Sequence, residues 1–485
     1  MSTSTLPRPG AAADGREPLP ITILQFGAGN FLRAFVDLMV QQANDAGVLH
    51  DAVAAVQSTP WPDPALAHLE AQDGIYHVLL EGVRDGVPVR EFTRVTAVQR
   101  IVRAHEDFDA YRALYLSPEL RTIVSNTTEA GIAWVPGDDL AATPPLSFPA
   151  KITALLLDRF RHFDGDPAAG LHVVCCELIE DNATTLREYV LRHAAENALP
   201  EAFTHWVRTA CTFHDTLVDR IVPGFPREEI DAIHAELGVA DLSVVKGEYF
   251  GLWVIGGDPV IRDVLPLDRA GLPVEFVPDV RPVREKKVRI LNGLHTAMSA
   301  VGLLLGATSV READARPDVA AYLRALLERE VLPTIPGDPD ALRAFAASIV
   351  ERFANPYLHH LLGDIALNAL SKYRARNLPV LLDGWAAGRE APRTAFALAA
   401  LLVLDSGRLG PEDFTPRDDA EPLAVVRDTF DAHDVEAWVR RSVLAAAYLE
   451  PDDARLDRLV REVSGHARAL LAVGPEAALA ALADA

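Results

Sequence analysis

The chain has 485 residues, of which 46 are basic and 69 acidic, so its formal net charge is −23. The length predicts two or three domains, and the charge would repel nucleic acid and anionic membrane surfaces, so we expect neither as a partner. Its three cysteines, Cys175, Cys176 and Cys211, include no pair at the C-x-x-C spacing of zinc or redox sites, which favours a reducing cytoplasm.

Residues 1–19 are small, polar and proline-bearing, without the apolar core of a signal peptide, and we expect a disordered tail there. The apolar runs further along, such as residues 395–404, are too short to cross a bilayer, so the sequence predicts a soluble protein.

The first regular elements lie around a glycine-containing turn. The apolar run Ile21–Phe26 is followed by Gly27-Ala28-Gly29-Asn30 and then by an amphipathic stretch. This order predicts a strand, a tight turn and a helix, as in the pyrophosphate site of dinucleotide-binding folds. The third glycine of G-x-G-x-x-G is missing, because Leu32 stands there. The turn is nevertheless the first of a long α/β segment, and this position favours its interpretation as a pyrophosphate site.

Short apolar runs recur along the next 260 residues and predict further strands, at residues 53–56, 122–124, 171–176, 252–255 and 274–277. Because helical segments alternate with them, we predict an α/β Rossmann-like domain with a parallel, doubly wound sheet over residues 20–285. From 286 to 485 the apolar spacing is helical, which predicts a mostly α-helical C-terminal domain. A cleft between two such domains is a common place for an active site.

The predicted cofactor site combines the turn with two strand ends. Gln57 stands where an acidic residue usually binds the adenosine ribose, and residues 52–81 contain no Lys or Arg for a 2′-phosphate, which favours NAD over NADP. Polar residues at 125–127 follow another strand and either line the cofactor crevice or form an ordinary turn. The predicted contacts are Gly27, Ala28, Gly29, Asn30, Phe31, Arg33, Gln57, Ser125, Asn126 and Thr127.

A polar triplet, Lys287, Asn292 and His295, marks the start of the helical region. On a regular α-helix, Asn292 would lie about 140° and His295 about 80° round from Lys287, so all three fit one face. A proton-transfer group, a carboxamide and a second polar anchor are what a carbonyl-reducing site requires. The alternative is an exposed lysine, a capping asparagine and a core histidine.

Beyond these motifs, the chain resembles the tagaturonate reductases (altronate oxidoreductases), a branch of the mannitol dehydrogenase family of long-chain polyol dehydrogenases. The matching segments are residues 25–37, 125–131, 147–151, 176–182, 216–221, 287–296, 352–356 and 371–376. The polyol dehydrogenases of the family have Cys-Asp-Asn-Leu where this chain has Cys176-Glu-Leu-Ile, and that departure favours the uronate reductases.

The resemblance implies a Rossmann domain followed by a helical domain, with NAD(H) as cofactor and no metal. It implies an oxidoreductase of CH–OH groups that transfers hydride reversibly to a small keto-sugar acid. The implied reaction is the reduction of D-tagaturonate to D-altronate in hexuronate catabolism. Fructuronate or a mannitol-type polyol are the alternative substrates, and a non-catalytic NAD-binding sensor is the alternative of another class.

The resemblance also implies roles for single residues. Lys287 would be the catalytic acid/base, Asn292 and Asn182 would hold the reacting oxygen, and His295 would contact the substrate. Asn182 equally suits a helix N-cap.

Four further polar residues are candidates for binding the substrate. Asp219 is either a substrate contact or the partner of Arg220 in a structural ion pair. The basic cluster Lys372, Arg374 and Arg376 is either the carboxylate site or a solvated helix face. His359 and His360 have no partner at metal-ligand spacing and are interpreted as helix surface or pocket edge.

Overall fold

The computed structural model describes residues 6–10, 16–61, 63–128, 130–357 and 360–482. It divides into two compact units, the first formed by residues 1–81 and 89–281, the second by residues 82–88 and 282–485. Of the predicted tail, residues 1–5 and 11–15 lie outside the described residues. In the rest, the Pro7 carbonyl accepts a hydrogen bond from the Ala240 nitrogen at 2.8 Å, and Arg16 donates to the Asp73 carbonyl at 2.5 Å.

The described strands lie between residues 21 and 277. They are β1 (Ile21–Phe26), β2 (Ala52–Gln57), β3 (Tyr76–Arg84), β4 (Val87–Val95), β5 (Val98–Arg103), β6 (Thr122–Ser125), β7 (His172–Cys175), β8 (Thr212–His214), β9 (Thr216–Asp219), β10 (Val245–Glu248), β11 (Leu252–Gly256) and β12 (Val274–Val277).

The main sheet has six parallel strands in the order β5-β2-β1-β6-β7-β8. This is the strand order of a doubly wound dinucleotide fold, and it confirms the predicted α/β class. The order reverses between β1 and β6, where Phe26 pairs with Ser125. A ligand crevice is expected outside the carboxyl ends of the strands at such a reversal, and the turn after Phe26 and the loop after Ser125 both begin there.

The remaining strands form two smaller sheets, β10-β3-β4 and β12-β11-β9. The predicted late strands at 252–255 and 274–277 are present in the first unit, where β11 pairs with both β9 and β12 to form the third sheet. The strands that were not predicted are β3, β4, β5, β8, β9 and β10. Strands β3 and β4 are neighbours in the second sheet. They are joined by Asp85 and Gly86, both at positive φ (53° and 75°), as a tight hairpin turn requires.

The helices of the first unit cover both faces of the main sheet, and separate apolar cores lie on the two faces. Leu24, Phe26 and Ile123 belong to one core, while Ile23 and Val124 belong to the other, as expected for strands buried on both sides. The helices are Asn30–Ala34, Val36–Asp45, Pro64–Glu70, Phe108–Tyr115, Phe148–His162, Asn182–Glu196, Glu201–Thr209, Ile230–Leu237 and Ile261–Val264, with 3₁₀ turns at Pro167–Ala169 and Leu267–Ala270.

The second unit is helical, as predicted. At its centre the helix Pro392–Asp405 is buried along its whole length, which explains why its sequence is apolar on every side. The α-helices are Arg281–Lys287, Gly293–Leu304, Val310–Ala315, Pro317–Leu326, Pro339–Phe353, Leu362–Ile365, Ala369–Arg376, Leu378–Ala386, Pro392–Asp405, Ala420–Asp428, Val435–Ala445, Leu456–Val473 and Pro475–Ala480. Segments of π-helix lie at Val288–Asn292 and Leu327–Val331, and a 3₁₀ turn lies at Leu332–Thr334. Within the described residues, no helix combines the length and the apolar character that crossing a membrane requires.

Candidate active site

The glycine turn begins directly after β1. Gly27 has φ = +107°, a conformation that favours glycine, and its nitrogen donates to the Val56 carbonyl at 3.0 Å. The helix that follows, Asn30–Ala34, lasts five residues and is interrupted at Phe35 (φ −128°, ψ −77°) before Val36–Asp45 resumes. Leu32, in place of the third glycine, is buried in the core.

Arg33 lies beneath this turn. Its guanidinium donates to the Ala28 carbonyl (3.1 Å), the Ser243 carbonyl (2.7 Å) and the Asn30 side chain (2.7 Å). Burial lowers its pKa, although Tyr76 and Asp37 act in the opposite direction. Arg33 therefore fixes the backbone of the turn, and its direct contact with the cofactor stays a prediction.

A pocket of about 490 Å³ opens at the carboxyl ends of β1, β2 and β6. Six of the ten predicted cofactor residues line it: Gly27, Ala28, Gly29, Gln57, Asn126 and Thr127. The other four do not line it. Arg33 lies under the turn and donates a hydrogen bond to the Asn30 side chain. Phe31 stacks on Phe35, with ring centroids 4.8 Å apart, and Ser125 is buried.

The loop after β6 is held by a buried carboxylate that the sequence did not single out. Glu177 accepts hydrogen bonds from the Ser125 hydroxyl (3.1 Å) and from both the nitrogen and the hydroxyl of Thr127 (2.9 Å each). Burial raises the pKa of Glu177, and the Thr127 donors oppose that shift. Asn126 is fixed in turn by its bond to the Cys176 carbonyl at 2.5 Å.

Two charged residues of the pocket were also missed. Asp63 lines it six residues after Gln57 and caps the helix Pro64–Glu70 through the Ala65 nitrogen. Lys151 lines it from the first turn of the helix Phe148–His162. Neither lies at a strand end, where dinucleotide contacts are usually sought; the only sequence signal was that Lys151 lies in a segment matching the resembled family.

Asn182 is fully buried, and both ends of its carboxamide bind the protein backbone. Its nitrogen donates to the Cys175 and Glu177 carbonyls (3.0 Å each), and its oxygen accepts from the Ala183 and Thr216 nitrogens (2.9 and 3.1 Å). The structure therefore places it as a link between β7 and β9, and its role in holding the reacting oxygen stays a prediction.

Asp219 lies on β9, opposite Leu252 of β11, and is buried. The guanidinium of its neighbour Arg220 donates to the carbonyls of Ala34 (2.6 Å), Phe250 (3.0 Å) and Tyr249 (3.5 Å). Arg220 therefore acts as a backbone clamp, and burial lowers its pKa to about 10.

In the second unit, the helix that carries Lys287, Asn292 and His295 is not uniformly α-helical. An α segment ends at Lys287, residues Val288–Asn292 form a π-helix, and an α-helix resumes at Gly293. The predicted 100° spacing therefore does not hold between Lys287 and Asn292, because i→i+5 bonds give a wider turn. Such π segments occur frequently at functional sites.

Arg289 holds the π segment in place. Its guanidinium lies 2.6 Å from the Glu285 carboxylate and 2.7 Å from that of Asp383, and it donates to the Thr334 carbonyl at 3.1 Å. Lys287 and Asn292 are half-buried, and the Asn292 carboxamide makes no hydrogen bond within the described chain.

His295 lies in a cationic environment. Its ring centroid is 4.7 Å from that of Phe353 and 5.2 Å from that of His360. Burial, followed by the charges of His360, Arg352 and Arg376, lowers the pKa of His295 to about 3, so the imidazole is neutral near pH 7. His359 lies outside the described residues.

The predicted basic cluster divides between two sides of the helix Ala369–Arg376. Arg376 donates to the Thr296 hydroxyl at 3.1 Å, and Lys372 to the Ile365 carbonyl at 3.0 Å. Arg374 is exposed and reaches the Ala446 carbonyl at 3.5 Å. Arg376 therefore joins the surround of His295, together with Arg352, which lay in a matching segment but was given no role.

Groupings that would hold a metal ion were sought among His, Cys, Asp and Glu side chains, and the described residues contain no group of three or more. The three cysteines are free thiols and all are buried.

Comparisons with known proteins match both parts of the chain to the same family. The mannitol dehydrogenase Rossmann domain matches residues 21–268, and the mannitol dehydrogenase C-terminal domain matches residues 279–453. An altronate oxidoreductase of Klebsiella pneumoniae (strain 342) is 40% identical over 464 residues, which cover 94% of this chain and 95% of that protein. An altronate oxidoreductase of Bacillus subtilis (strain 168) is 44% identical over 384 residues, 79% of each chain.

Among solved structures, that of a D-sorbitol dehydrogenase in substrate-free form has the same fold, with a TM-score of 0.79 at 23% identity over 98% of both chains. The matched domains together span most of the sequence, from residue 21 to residue 453. The chain belongs to the mannitol dehydrogenase family.

Proposed function

We propose that this chain is an NAD-dependent oxidoreductase that reduces a keto-uronate, with D-tagaturonate giving D-altronate. Relatives named altronate oxidoreductase support the assignment, because they match at 38–44% identity over most of the chain. The observation that carries the substrate class is the cationic surround of His295, to which Arg352 and Arg376 contribute, because a carboxylate requires such a partner.

The pocket of the first unit suits NAD(H). The glycine turn lets the backbone approach a pyrophosphate, and Asp63 supplies an acceptor for a ribose hydroxyl near the end of β2. A 2′-phosphate would meet the Asp63 charge instead, and the described lining residues include no arginine to offset it. We therefore assign the cofactor contacts to Gly27, Ala28, Gly29, Gln57, Asp63, Asn126 and Thr127.

The second unit supplies the proton and the hydrogen bonds. When bound, the nicotinamide supplies or accepts the hydride. Lys287, which is half-buried, gives a proton to the substrate oxygen in reduction and takes one in oxidation. The Asn292 carboxamide donates to the same oxygen as negative charge builds there.

Neutral His295 serves as a hydrogen-bonding contact for the substrate and not as its proton donor, because its pKa of about 3 keeps it uncharged. We assign the carboxylate to Arg376 and Arg352, and we leave Arg374 out because it faces Ala446. Asp219 and Lys372 stay secondary candidates for substrate binding. A cytoplasmic location, where NADH is available and buried thiols stay reduced, completes the proposal.

The test offers the purified protein D-tagaturonate, D-fructuronate and D-fructose in parallel and follows NADH absorbance. Oxidation with tagaturonate, and little or none with fructose, would support both the substrate and its carboxylate. Preference for fructuronate would keep the chemistry and change the stereochemistry of the substrate. Tight NADH binding without turnover of any of the three would favour a non-catalytic sensor and overturn the proposal.

A further inference from the structure

Lys151 is a buried lysine whose position the proposed chemistry does not use. It lies in the first turn of the helix Phe148–His162, which Ser147 caps through the Ala150 nitrogen. The residue is 7% exposed, and that remaining surface lines the pocket shared with the glycine turn. Placing an ammonium group in such a position is costly unless charge or hydrogen bonds compensate it.

The protein supplies part of that compensation. The Lys151 ammonium donates to the Leu146 carbonyl at 2.7 Å, which uses one of its three N–H groups. Burial lowers the pKa of Lys151, and the charge of Asp138 opposes the shift. The Asp138 carboxylate is itself held by the backbone nitrogens of Leu146 and Ser147, at 3.1 and 2.6 Å.

A cation in the pocket would balance the negative charge of a dinucleotide's pyrophosphate. The helix after the glycine turn ends after five residues, so it offers a weaker positive terminus than an unbroken helix of the usual length. Arg33 is committed to Ala28, Asn30 and Ser243 behind the turn. Among the described lining residues Lys151 is the one basic side chain, and Asp63 adds an opposing charge.

We infer that the Lys151 ammonium binds the pyrophosphate of the dinucleotide and supplies the charge that the interrupted helix does not. This rests on the proposed function in that NADH is the ligand. The competing explanation is purely structural: Lys151 and Asp138 would together hold the backbone at Leu146 and Ser147 without touching a ligand.

The two explanations separate when ligands with and without phosphate are compared. Lys151→Met keeps the side-chain length and removes the charge, while Lys151→Arg keeps the charge. Arg161→Met is the matched control, because Arg161 lies on the same helix, is exposed and is not among the residues that line the pocket. Equilibrium binding of NADH, ADP-ribose and adenosine is measured by calorimetry, alongside the melting temperature of each ligand-free variant.

We expect Lys151→Met to weaken NADH and ADP-ribose by the same factor, about 10- to 100-fold, as for loss of a charge-assisted hydrogen bond. Adenosine binding and the melting temperature should stay at wild-type values, Lys151→Arg should recover most of the affinity, and Arg161→Met should match the wild type. Unchanged ADP-ribose binding in Lys151→Met, or equal weakening of adenosine with a lower melting temperature, would overturn the inference. Failure of the wild type to bind NADH at all would instead overturn the proposed function, and the inference with it.

Discussion

The carboxylate of Glu177 accepts two hydrogen bonds from Thr127, one from the backbone nitrogen and one from the hydroxyl, both at 2.9 Å. A loop 50 residues away in sequence is thereby fixed beside the pocket at the strand ends, and the geometry of its lining residue Thr127 depends on a residue that does not itself line the pocket.

Replacing that carboxylate should therefore affect cofactor binding. We expect Glu177→Ala to weaken NADH about 10-fold, because Thr127 and Ser125 lose a buried acceptor worth about 1–3 kcal/mol. Glu177→Gln should recover part of the loss, since its oxygen still accepts from Thr127. Fluorescence titration of NADH measures the effect, with Glu180→Ala, an exposed neighbour, as the control. Wild-type affinity in Glu177→Ala would show that the loop holds its shape without the carboxylate.

The two asparagines of the predicted site should behave differently. We expect Asn182→Ala to lower the free energy of unfolding by about 2–4 kcal/mol, because the Glu177 carbonyl and the Thr216 nitrogen each lose a buried hydrogen bond. The Cys175 carbonyl and the Ala183 nitrogen keep their second partners. Asn292→Ala should leave stability almost unchanged and lower kcat about 10²- to 10³-fold, as for loss of an oxyanion donor. Urea unfolding measures the free energy of unfolding of both variants, and steady-state kinetics measures their kcat. A stable Asn182→Ala protein with a lowered kcat would restore Asn182 to the reaction.

Lys287 carries the proposed proton transfer. We expect Lys287→Ala to reduce kcat by about 10²–10⁴-fold while NADH affinity stays the same. Lys286→Ala is the matched control, because the neighbouring ammonium lies 4.5 Å from the Phe345 ring centre and has no assigned role in the reaction. Steady-state rates and NADH titration are measured on both variants. Retained turnover in Lys287→Ala would remove this residue from the mechanism.

Recognition of the carboxylate should distinguish Arg376 from Arg374. We expect Arg376→Met to raise KM for a keto-uronate about 10-fold or more, as for loss of a charge-assisted hydrogen bond, and to change KM for fructose little. Arg374→Met removes the same charge from the exposed side of the helix and should leave both KM values unchanged. An equal effect of the two variants would mean that general charge, and not a specific contact, attracts the substrate.

The lowered pKa of His295 has a consequence for stability in acid. The unfolded chain binds a proton on this imidazole below about pH 6.5, whereas the folded protein keeps it neutral down to about pH 3. Its stabilising contribution is therefore complete above pH 6.5 and is lost as pH falls towards 3. Between pH 7 and pH 5 the wild type should lose about 2 kcal/mol relative to His295→Gln, which urea unfolding at both pH values measures. A stability difference that does not change with pH would contradict the neutral imidazole.

Much of the first unit could be predicted because its signals are local. The bounds of β1 follow from an apolar run that a glycine at positive φ ends, and the strand at 274–277 was predicted with its observed limits. The sheet to which a strand belongs is not a local property. The strands at 252 and 274 lie in the first unit, as predicted, but neither their composition nor their length records that β9 pairs with β11 in a separate sheet.

Residues of the candidate site were predicted where a local sequence pattern indicated them. Residues were missed where the fold brings distant parts of the sequence together. Gly27, Gln57 and Asn126 follow strands, and strand ends of a doubly wound fold converge. Lys151 reaches the pocket from a helix. Glu177 follows the end of β7, but its partners Ser125 and Thr127 lie far earlier in the sequence and are brought to it only by the fold. Asn182 has a residue type that suits catalysis and capping equally, and nothing in its local sequence records its bonds to Cys175 and Thr216.

Because of the π segment at Val288–Asn292, the relative orientation of the side chains before and after it depends on the number of residues in this stretch. Deleting one residue there would return the helix to i→i+4 pairing and rotate Lys287 by roughly 100° relative to Asn292 and His295. A substitution at half-buried Val288 would cause no such rotation. Over evolutionary time we therefore expect gaps and insertions to be eliminated from this stretch more strictly than changes of the Val288 side chain.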